Sequence, residues 1–400
     1  MGFVRNQCRS GELKNVDAAL DFFHKMVRLK PVPSLPDFTL LLGVIVIRKH
    51  YPTAISLIQQ MDFLRIGTSV YTLSILINCF FRLNCAGYGF SVFGRILKLG
   101  FEPTVITLST LINGLFQEGD IDQALRLLDD MAEMGCQPNI ITHNTVINSL
   151  CKIGDTNGAF EYLRKLEGRN WNTGVEAYNT IIDSLCKDRL VTEALNLFSE
   201  MASKGIQPSV VTYTSLIQGL CNFGRWEEAS TLLNEMMQSG IMPDVRTFNI
   251  LVDTFCKEGM TTEAKQIIEV MIQTGKEPDL VTYTTLIDGY CLQKKMDKAM
   301  ATFNLMVENG CLPDIVTCNS LIHGFYKTRK IDRAMGLFNT MVNKGLIPNV
   351  VTFNTLIGGF FNLGSPQAAR ELFHKMKAFG QVPNFQTYAV LLDGLCNVID

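Results

Sequence analysis

VRTFNILVDTFCKEGMTTEAKQIIEVMIQTGKEPD, residues 245–279, decides how this 400-residue chain folds. From Arg246 to Lys257, the apolar residues Phe248, Leu251, Val252 and Phe255 follow the i, i+3, i+4, i+7 spacing of one helix face. Lys257-Glu-Gly-Met then breaks the pattern. A second amphipathic stretch, from about Thr262 to Thr274, places Ala264, Ile267, Ile268 and Met271 together. Gly275 suits a helix C-cap, and Pro278 stops helical continuation. Two helices and two turns make a hairpin, in which the small Ala264 permits close approach and Met271 fills space against a neighbour.

The same stretch recurs along the chain. Alanine stands at Ala54, Ala124, Ala159, Ala194, Ala229, Ala264, Ala299, Ala334 and Ala369, with Gly89 in the one gap. Gly100, Gly135, Gly205, Gly240, Gly275, Gly310, Gly345 and Gly380 close units, each followed three residues later by proline. The period is 35 residues, and ten tandem repeats (35–69, 70–104, 105–139, 140–174, 175–209, 210–244, 245–279, 280–314, 315–349 and 350–384) fill the chain. Residues 1–34 form a partial unit before them and residues 385–400 a partial unit after them. A lone hairpin cannot bury its own faces, so the units must stack into a solenoid. Nothing alternates with period two, so no sheet is expected and the fold class is all-α.

Composition agrees. With 47% hydrophobic and 18% charged residues, apolar surface is ample to offset chain entropy, which excludes long disordered tracts. The longest apolar run, Phe38 to Ile47, is about half of a membrane span. Lys and Arg (36) nearly balance Asp and Glu (38), which argues against a protein relying mainly on phosphate attraction but not against a locally basic face. Of 12 cysteines, Cys151, Cys186, Cys221, Cys256 and Cys291 are spaced by 35 residues, and no C-x-x-C pair exists. Equivalent helices in a stack lie roughly 8–10 Å apart, too far for a disulfide. These thiols are expected to be reduced core residues.

The repeat reads V-T-Y-N-T-L-I-D-G-(L/Y)-C-K-x-G, then A, M, G and P-(D/N), as in Val211-Thr-Tyr-Thr-Ser-Leu-Ile and Val351-Thr-Phe-Asn-Thr-Leu-Ile. This pattern resembles the pentatricopeptide repeat (PPR) family in its plain 35-residue form, over essentially the whole chain. The segment Asn15-Val-Asp-Ala-Ala-Leu-Asp-Phe-Phe-His-Lys-Met-Val resembles the plant fertility-restorer-like branch. The resemblance implies a right-handed superhelical solenoid that binds single-stranded RNA, about one base per repeat, in organellar RNA processing, stability or translation.

It also implies that the fifth residue of each repeat and its last residue read the base. The pairs are Ser109 with Asn139, Asn144 with Gly174, Asn179 with Ser209, and Thr214 with Asp244. Next come Asn249 with Asp279, Thr284 with Asp314, Asn319 with Asn349, and Asn354 with Asn384. Thr39 with Ser69 and Ser74 with Thr104 have no assigned base. Family pairing tendencies applied from repeat 105 onward give A-?-C-G-U-G-Y-Y, with a G-U-G core. The chemistry fits, because Asn, Ser and Thr both donate and accept hydrogen bonds. Helix capping accounts for Asp or Asn at the last position but gives no reason for Asn, Thr or Ser at the fifth.

Second-position residues Ile106, Ile141, Val211, Val281, Val316 and Val351 are expected to sandwich the base. Glu176 and Arg246 depart from that pattern, and with Gly174 and Thr173 (in place of proline) they mark a degenerate section near Trp171. Lys152, Lys187, Lys257 and Lys327 end first helices, where they complement the helix dipole and are candidate phosphate contacts.

No enzyme is expected. The H-x-E and C-x-x-C of a zinc deaminase are absent, no residues remain for a nuclease domain, and the five histidines lack spacing logic. No cofactor, small-molecule substrate or membrane is implied, and a recruited RNA-processing protein is the further partner class. The alternative function is a helical-repeat scaffold for a protein or peptide, which gives no reason for Asn, Thr or Ser at every fifth position. Family resemblance points to mitochondria, with the chloroplast as alternative. Met1-Gly-Phe-Val-Arg-Asn-Gln leads into no Arg- and Ser-rich, acid-poor transit peptide. The first unit enters at mid-repeat and the last stops after one helix, so the chain reads as a fragment.

Overall fold

Asp279 shows how each repeat begins. Its backbone is extended (φ −99°, ψ −176°), and its carboxylate accepts the Thr282 backbone N–H at 2.9 Å. The Thr282 hydroxyl in turn accepts the Asp279 N–H at 3.1 Å, closing a reciprocal capping box. The helix Leu280–Leu292 follows, then a tight turn and the second helix Met296–Glu308. Ser69, Thr104, Asn139, Ser209 and Asn349 start their first helices with the same box. In the unit at 245 the helices are Val245–Lys257 and Thr261–Gln273. The first starts one residue before the apolar pattern does, because the Asp244 side chain caps it through the Thr247 N–H.

Gly275 ends the second helix in the left-handed region (φ 76°). Its N–H bonds the Ile272 carbonyl at 2.9 Å, and the Lys276 N–H bonds the Met271 carbonyl at 3.0 Å, a Schellman closure. Arg65 (φ 55°) takes this conformation where the repeat at 35 lacks the glycine.

The structure, a computed structural model, describes residues 16–169, 171 and 173–399, with side chains to Cys396. Cys8, the leader region Met1–Gln7 and Asn15 lie outside the described residues. Among the described residues there are twenty-two α-helices, no strand, and no helix long and apolar enough to cross a membrane. The all-α hairpin architecture read from the sequence is what the structure shows.

The chain divides into two compact units. One holds residues up to Asp188 with Ser203–Ile206, and the other holds Arg189–Ala202 with Gln207 onward. Within each, a first helix packs on the second helix of its own repeat and on the first helix of the next, as Val245–Lys257 does on Thr261–Gln273 and Leu280–Leu292. The periodic alanines and methionines are the contact residues. Ala264 and Met271 are completely buried, as are Ala124, Met131, Ala299 and Met306.

Adjacent repeats interlock through the cysteines. A Cβ placed on Gly289 would lie 2.6 Å from the Cys256 sulfur, and one on Gly324 would lie 2.7 Å from the Cys291 sulfur. Each thiol fills the notch that the next repeat's glycine leaves open. Burial pushes the Cys186, Cys256 and Cys291 thiols up to about 12, the state of inert packing groups.

Candidate nucleic-acid interface

The second position of the first helix faces solvent throughout. Ile106, Ile141, Val211, Val281, Val316 and Val351 are 55–68% exposed, and Glu176 and Arg246 are exposed at the same place. A single exposed aliphatic residue is ordinary. A row of them repeating every 35 residues, each three residues from a polar fifth position, is a patterned surface.

The fifth position meets the next repeat. Ser74 bonds the Thr107 hydroxyl at 2.8 Å, Ser109 bonds Thr142 at 3.1 Å, Thr214 bonds Thr247 at 2.7 Å, and Thr284 bonds Thr317 at 2.7 Å. Where the fifth residue is asparagine, its Oδ1 accepts the threonine hydroxyl: Asn249 from Thr282 at 2.6 Å and Asn319 from Thr352 at 2.7 Å. The expectation that a structural role leaves the fifth position unexplained is therefore corrected. Its oxygen has a packing duty, because the threonine it meets is completely buried and a buried hydroxyl needs a partner.

Two predicted pairs are bonded to each other. Asn249 Nδ2 donates to Asp279 Oδ1 at 3.1 Å, and Asn319 Nδ2 donates to Asn349 Oδ1 at 3.2 Å. The last residue is simultaneously the helix cap: Asn139, Asp244, Asp314 and Asn384 each accept the backbone N–H of the threonine three residues on. Oδ1 thus belongs to the fold, and among the described residues no side chain bonds the second terminal atom. For Asp244, Asp279 and Asp314 that atom is the acceptor Oδ2; for Asn349 and Asn384 it is the donor Nδ2. Burial raises the Asp279 carboxyl, but the Thr282 and Asn249 bonds outweigh it and hold the group below the usual carboxylate range. It is a charged acceptor at neutral pH.

Asn179 lies in the first unit, on Val175–Lys187, while Ser209 lies in the second and caps Val210–Asn222. Asn144 and Gly174 form no pair: Gly174 has no side chain with which to cap the next helix, and Asn144 Oδ1 is buried without a partner among the described residues. Asn354 Oδ1 is likewise unpartnered. Ser109, Asn139, Ile106 and Ile141 line one open cleft of about 320 Å³, together with Asn113 and Arg82. The periodicity reading did not single out the last two. Nor did it single out the buried threonines, although the T of the repeat motif marks them.

The four lysines divide. Lys187 is paired with Asp183 at 2.5 Å and Lys257 with Asp253 at 2.6 Å, one helical turn back. Lys152 and Lys327 have Asn148 and His323, not an aspartate, one turn back. Among the described residues no group of three or more His, Cys, Asp or Glu side chains could hold a metal ion.

Tandem helical hairpins that repeat one side-chain pair between exposed aliphatic residues define a helical-repeat protein with a modular contact surface. The chain matches the PPR repeat family over residues 103–152, 173–222, 208–257, 249–292, 278–319, 313–362 and 348–397, and a single PPR repeat over 141–171. It belongs to that family. It is 42% identical over 100 residues to a mitochondrial pentatricopeptide repeat-containing protein of Arabidopsis thaliana, a match spanning 25% of this chain and 16% of that protein. A second Arabidopsis pentatricopeptide repeat-containing protein is 42% identical over 101 residues, with the same coverage of both chains. The match thus spans about a sixth of these relatives' length. The crystal structure of the maize pentatricopeptide repeat protein PPR10 superposes with a TM-score of 0.50 at 22% identity, covering 97% of this chain and 65% of that one. PPR10 in complex with an 18-nucleotide psaJ RNA element gives 0.60 at 22% identity, covering 92% and 59%. These likenesses establish a shared fold.

Proposed function

We propose that the chain binds single-stranded RNA sequence-specifically, about one base per repeat, through the fifth and last residues of its repeats. The observation that carries this reading is the atom left over at the last position. Uracil and guanine present an imino N–H on their pairing edge, whereas cytosine and adenine present a bare ring nitrogen. A leftover carboxylate oxygen accepts the first, and a leftover amide N–H donates to the second. Asp244, Asp279 and Asp314 therefore select G or U, and Asn139, Asn349 and Asn384 select A or C. The fifth residue then sorts by size: short Thr214 and Thr284 leave room for a purine, and the longer carboxamide of Asn249 suits a pyrimidine. This supports G-U-G as the core of the bound sequence. The exposed valines and isoleucines on either side are suited to ring-face contact.

PPR10 is named as an RNA-bound protein, and relatives at 42% identity include one named as mitochondrial. The first supports RNA as the partner and the second a mitochondrial setting, for a role in RNA processing, stability or translation without catalysis by this chain. The resemblance at 15–27 supports the fertility-restorer-like branch.

Asn249→Thr, with Asp279 retained, should switch the central preference from U to G by about 1 kcal/mol, the lower end for a discriminating polar base contact. Gel shifts of wild type and variant on G-U-G and G-G-G oligonucleotides measure this. If both proteins rank the two oligonucleotides alike, the fifth position does not read the base.

A further inference from the structure

We infer that the buried threonine at the third position of a repeat is a positioning residue for the base-reading pair of the repeat before it. It sets which atoms of that pair face the base. Thr282 shows how. Its Oγ1 receives the Asp279 N–H, its backbone N–H goes to Asp279 Oδ1, and its hydroxyl faces two acceptors, Asn249 Oδ1 at 2.6 Å and Asp279 Oδ1 at 2.9 Å. The hydroxyl has one proton, and the Asn249 oxygen is the nearer of its two acceptors, while the Asp279 carboxylate, which can only accept, takes the amide nitrogen. The Asn249 carboxamide is therefore held with its oxygen inward and its nitrogen toward Asp279. The amide oxygen and nitrogen are nearly equal in size, so packing alone does not distinguish the two orientations. Without the hydroxyl the amide oxygen loses its donor, and the carboxylate alone holds the nitrogen.

Thr352 repeats the arrangement, with its hydroxyl on Asn319 Oδ1 and Asn349 Oδ1 and its N–H on Asn349 Oδ1. The repeat at 175 carries the exception. Ala177 occupies the threonine's place, and the facing Asn144 has the buried, unpartnered Oδ1 that loss of this hydroxyl predicts. Asn354 is a milder case. Thr282 and Thr352 reach both the last-position and the fifth-position oxygen. The Thr387 hydroxyl goes instead to Asn384 Oδ1 at 3.0 Å and Asn354 Oδ1 has no partner among the described residues, so Asn354 should discriminate less than Asn319.

The inference rests on the base-reading proposal, and the test separates the two. Full-length Thr282→Val, Thr282→Ser and Ala177→Thr are compared with wild type on oligonucleotides that differ only at the base facing Asn249 or Asn144. Wild type and Thr282→Ser should prefer U over C at Asn249 by about fivefold or more. Thr282→Val should lower that ratio by about twofold or more while binding the C oligonucleotide within about twofold of wild type, since Asp279 keeps its backbone cap and stacking contacts remain. Ala177→Thr should create a preference at Asn144 where wild type has none. It adds a hydroxyl where the other repeats carry one, so it decides the matter if Thr282→Val fails to fold. A purely structural threonine would lower melting temperature and leave the ratios unmoved; unchanged ratios in both Thr282→Val and Ala177→Thr overturn the positioning role. A wild type that treats all four bases alike at Asn249 overturns base reading itself, and the positioning role with it.

Discussion

At residue 249 a carboxamide is bonded at both ends; at residue 144 its counterpart has a buried oxygen with no partner. Asp279 caps the helix after the first, and Gly174 offers no side chain after the second. Both stretches nevertheless form the same hairpin, Val245–Lys257 with Thr261–Gln273 and Ile140–Lys152 with Thr156–Gly168. Helix formation here follows burial of Ala159, Leu163 and Leu166, or of Ala264, Ile268 and Met271, and not the polar pair. The repeat at 140 has other ties. His143 Nδ1 lies 2.7 Å from the Tyr162 hydroxyl and its ring packs on Trp171. Glu167 gathers Tyr178, Lys204 and Arg164 at 2.5, 2.7 and 2.9 Å. One repeat concentrates its polar order on the exposed pair and the other on its second helix and its junction with the repeat that follows.

The joints between repeats give the largest test of this contrast. Gly289→Ala drives a methyl group against Cys256, whose backbone Cα lies within 3.3 Å of the new Cβ. It should cost about 1–3 kcal/mol by overpacking, relieved only in part in a Cys256→Ala background, which removes the sulfur but keeps the Cβ 2.7 Å away. At the corresponding joint of the repeat at 140, Ser184 already has a Cβ and bonds the Thr156 hydroxyl at 2.6 Å, so Ser184→Ala should cost about 1 kcal/mol. Urea unfolding followed by Trp226, which packs on Phe255, and by Trp171 reports the two regions separately. Equal costs would remove the distinction between the joints.

Acid separates the repeats next. Burial first, and the Arg169 charge second, hold His143 below its ordinary value. The unfolded chain therefore binds the proton more readily, and stability is lost as pH falls below about 6.5, by at most about 1.4 kcal/mol per pH unit. Melting monitored at Trp171 should show this slope and His143→Phe should abolish it. A slope unchanged by that substitution assigns the acid sensitivity to other groups.

The smallest effect concerns salt. Lys152→Ala should flatten the dependence of RNA affinity on log salt concentration by about 0.7, the value for one contact to a single strand. Lys257 is already engaged by Asp253, so Lys257→Ala should flatten it less, and Asp253→Asn should steepen it. Equal slopes for the two lysine variants would mean that the ion pair opens without cost when RNA binds.

The hairpins, their period and their caps were legible in the sequence because helical periodicity, a left-handed glycine and a following proline are local signals. The fifth and last positions were legible as a pattern, since Asn, Thr and Ser recur there on a fixed spacing among apolar neighbours. Only the tertiary structure decided what those side chains touch. Asn249 and Thr282 are 33 residues apart and meet only because two first helices stack. Asp253 and Lys257 lie one helical turn apart in the sequence, yet their pairing depends on rotamers and exposure. The sequence alone determined which residues repeat and therefore which elements form. The stacking of one repeat on the next decided which atom of each repeated side chain is consumed by the fold and which is left for a ligand, because hydrogen bonds between repeats depend on distances that local periodicity does not encode.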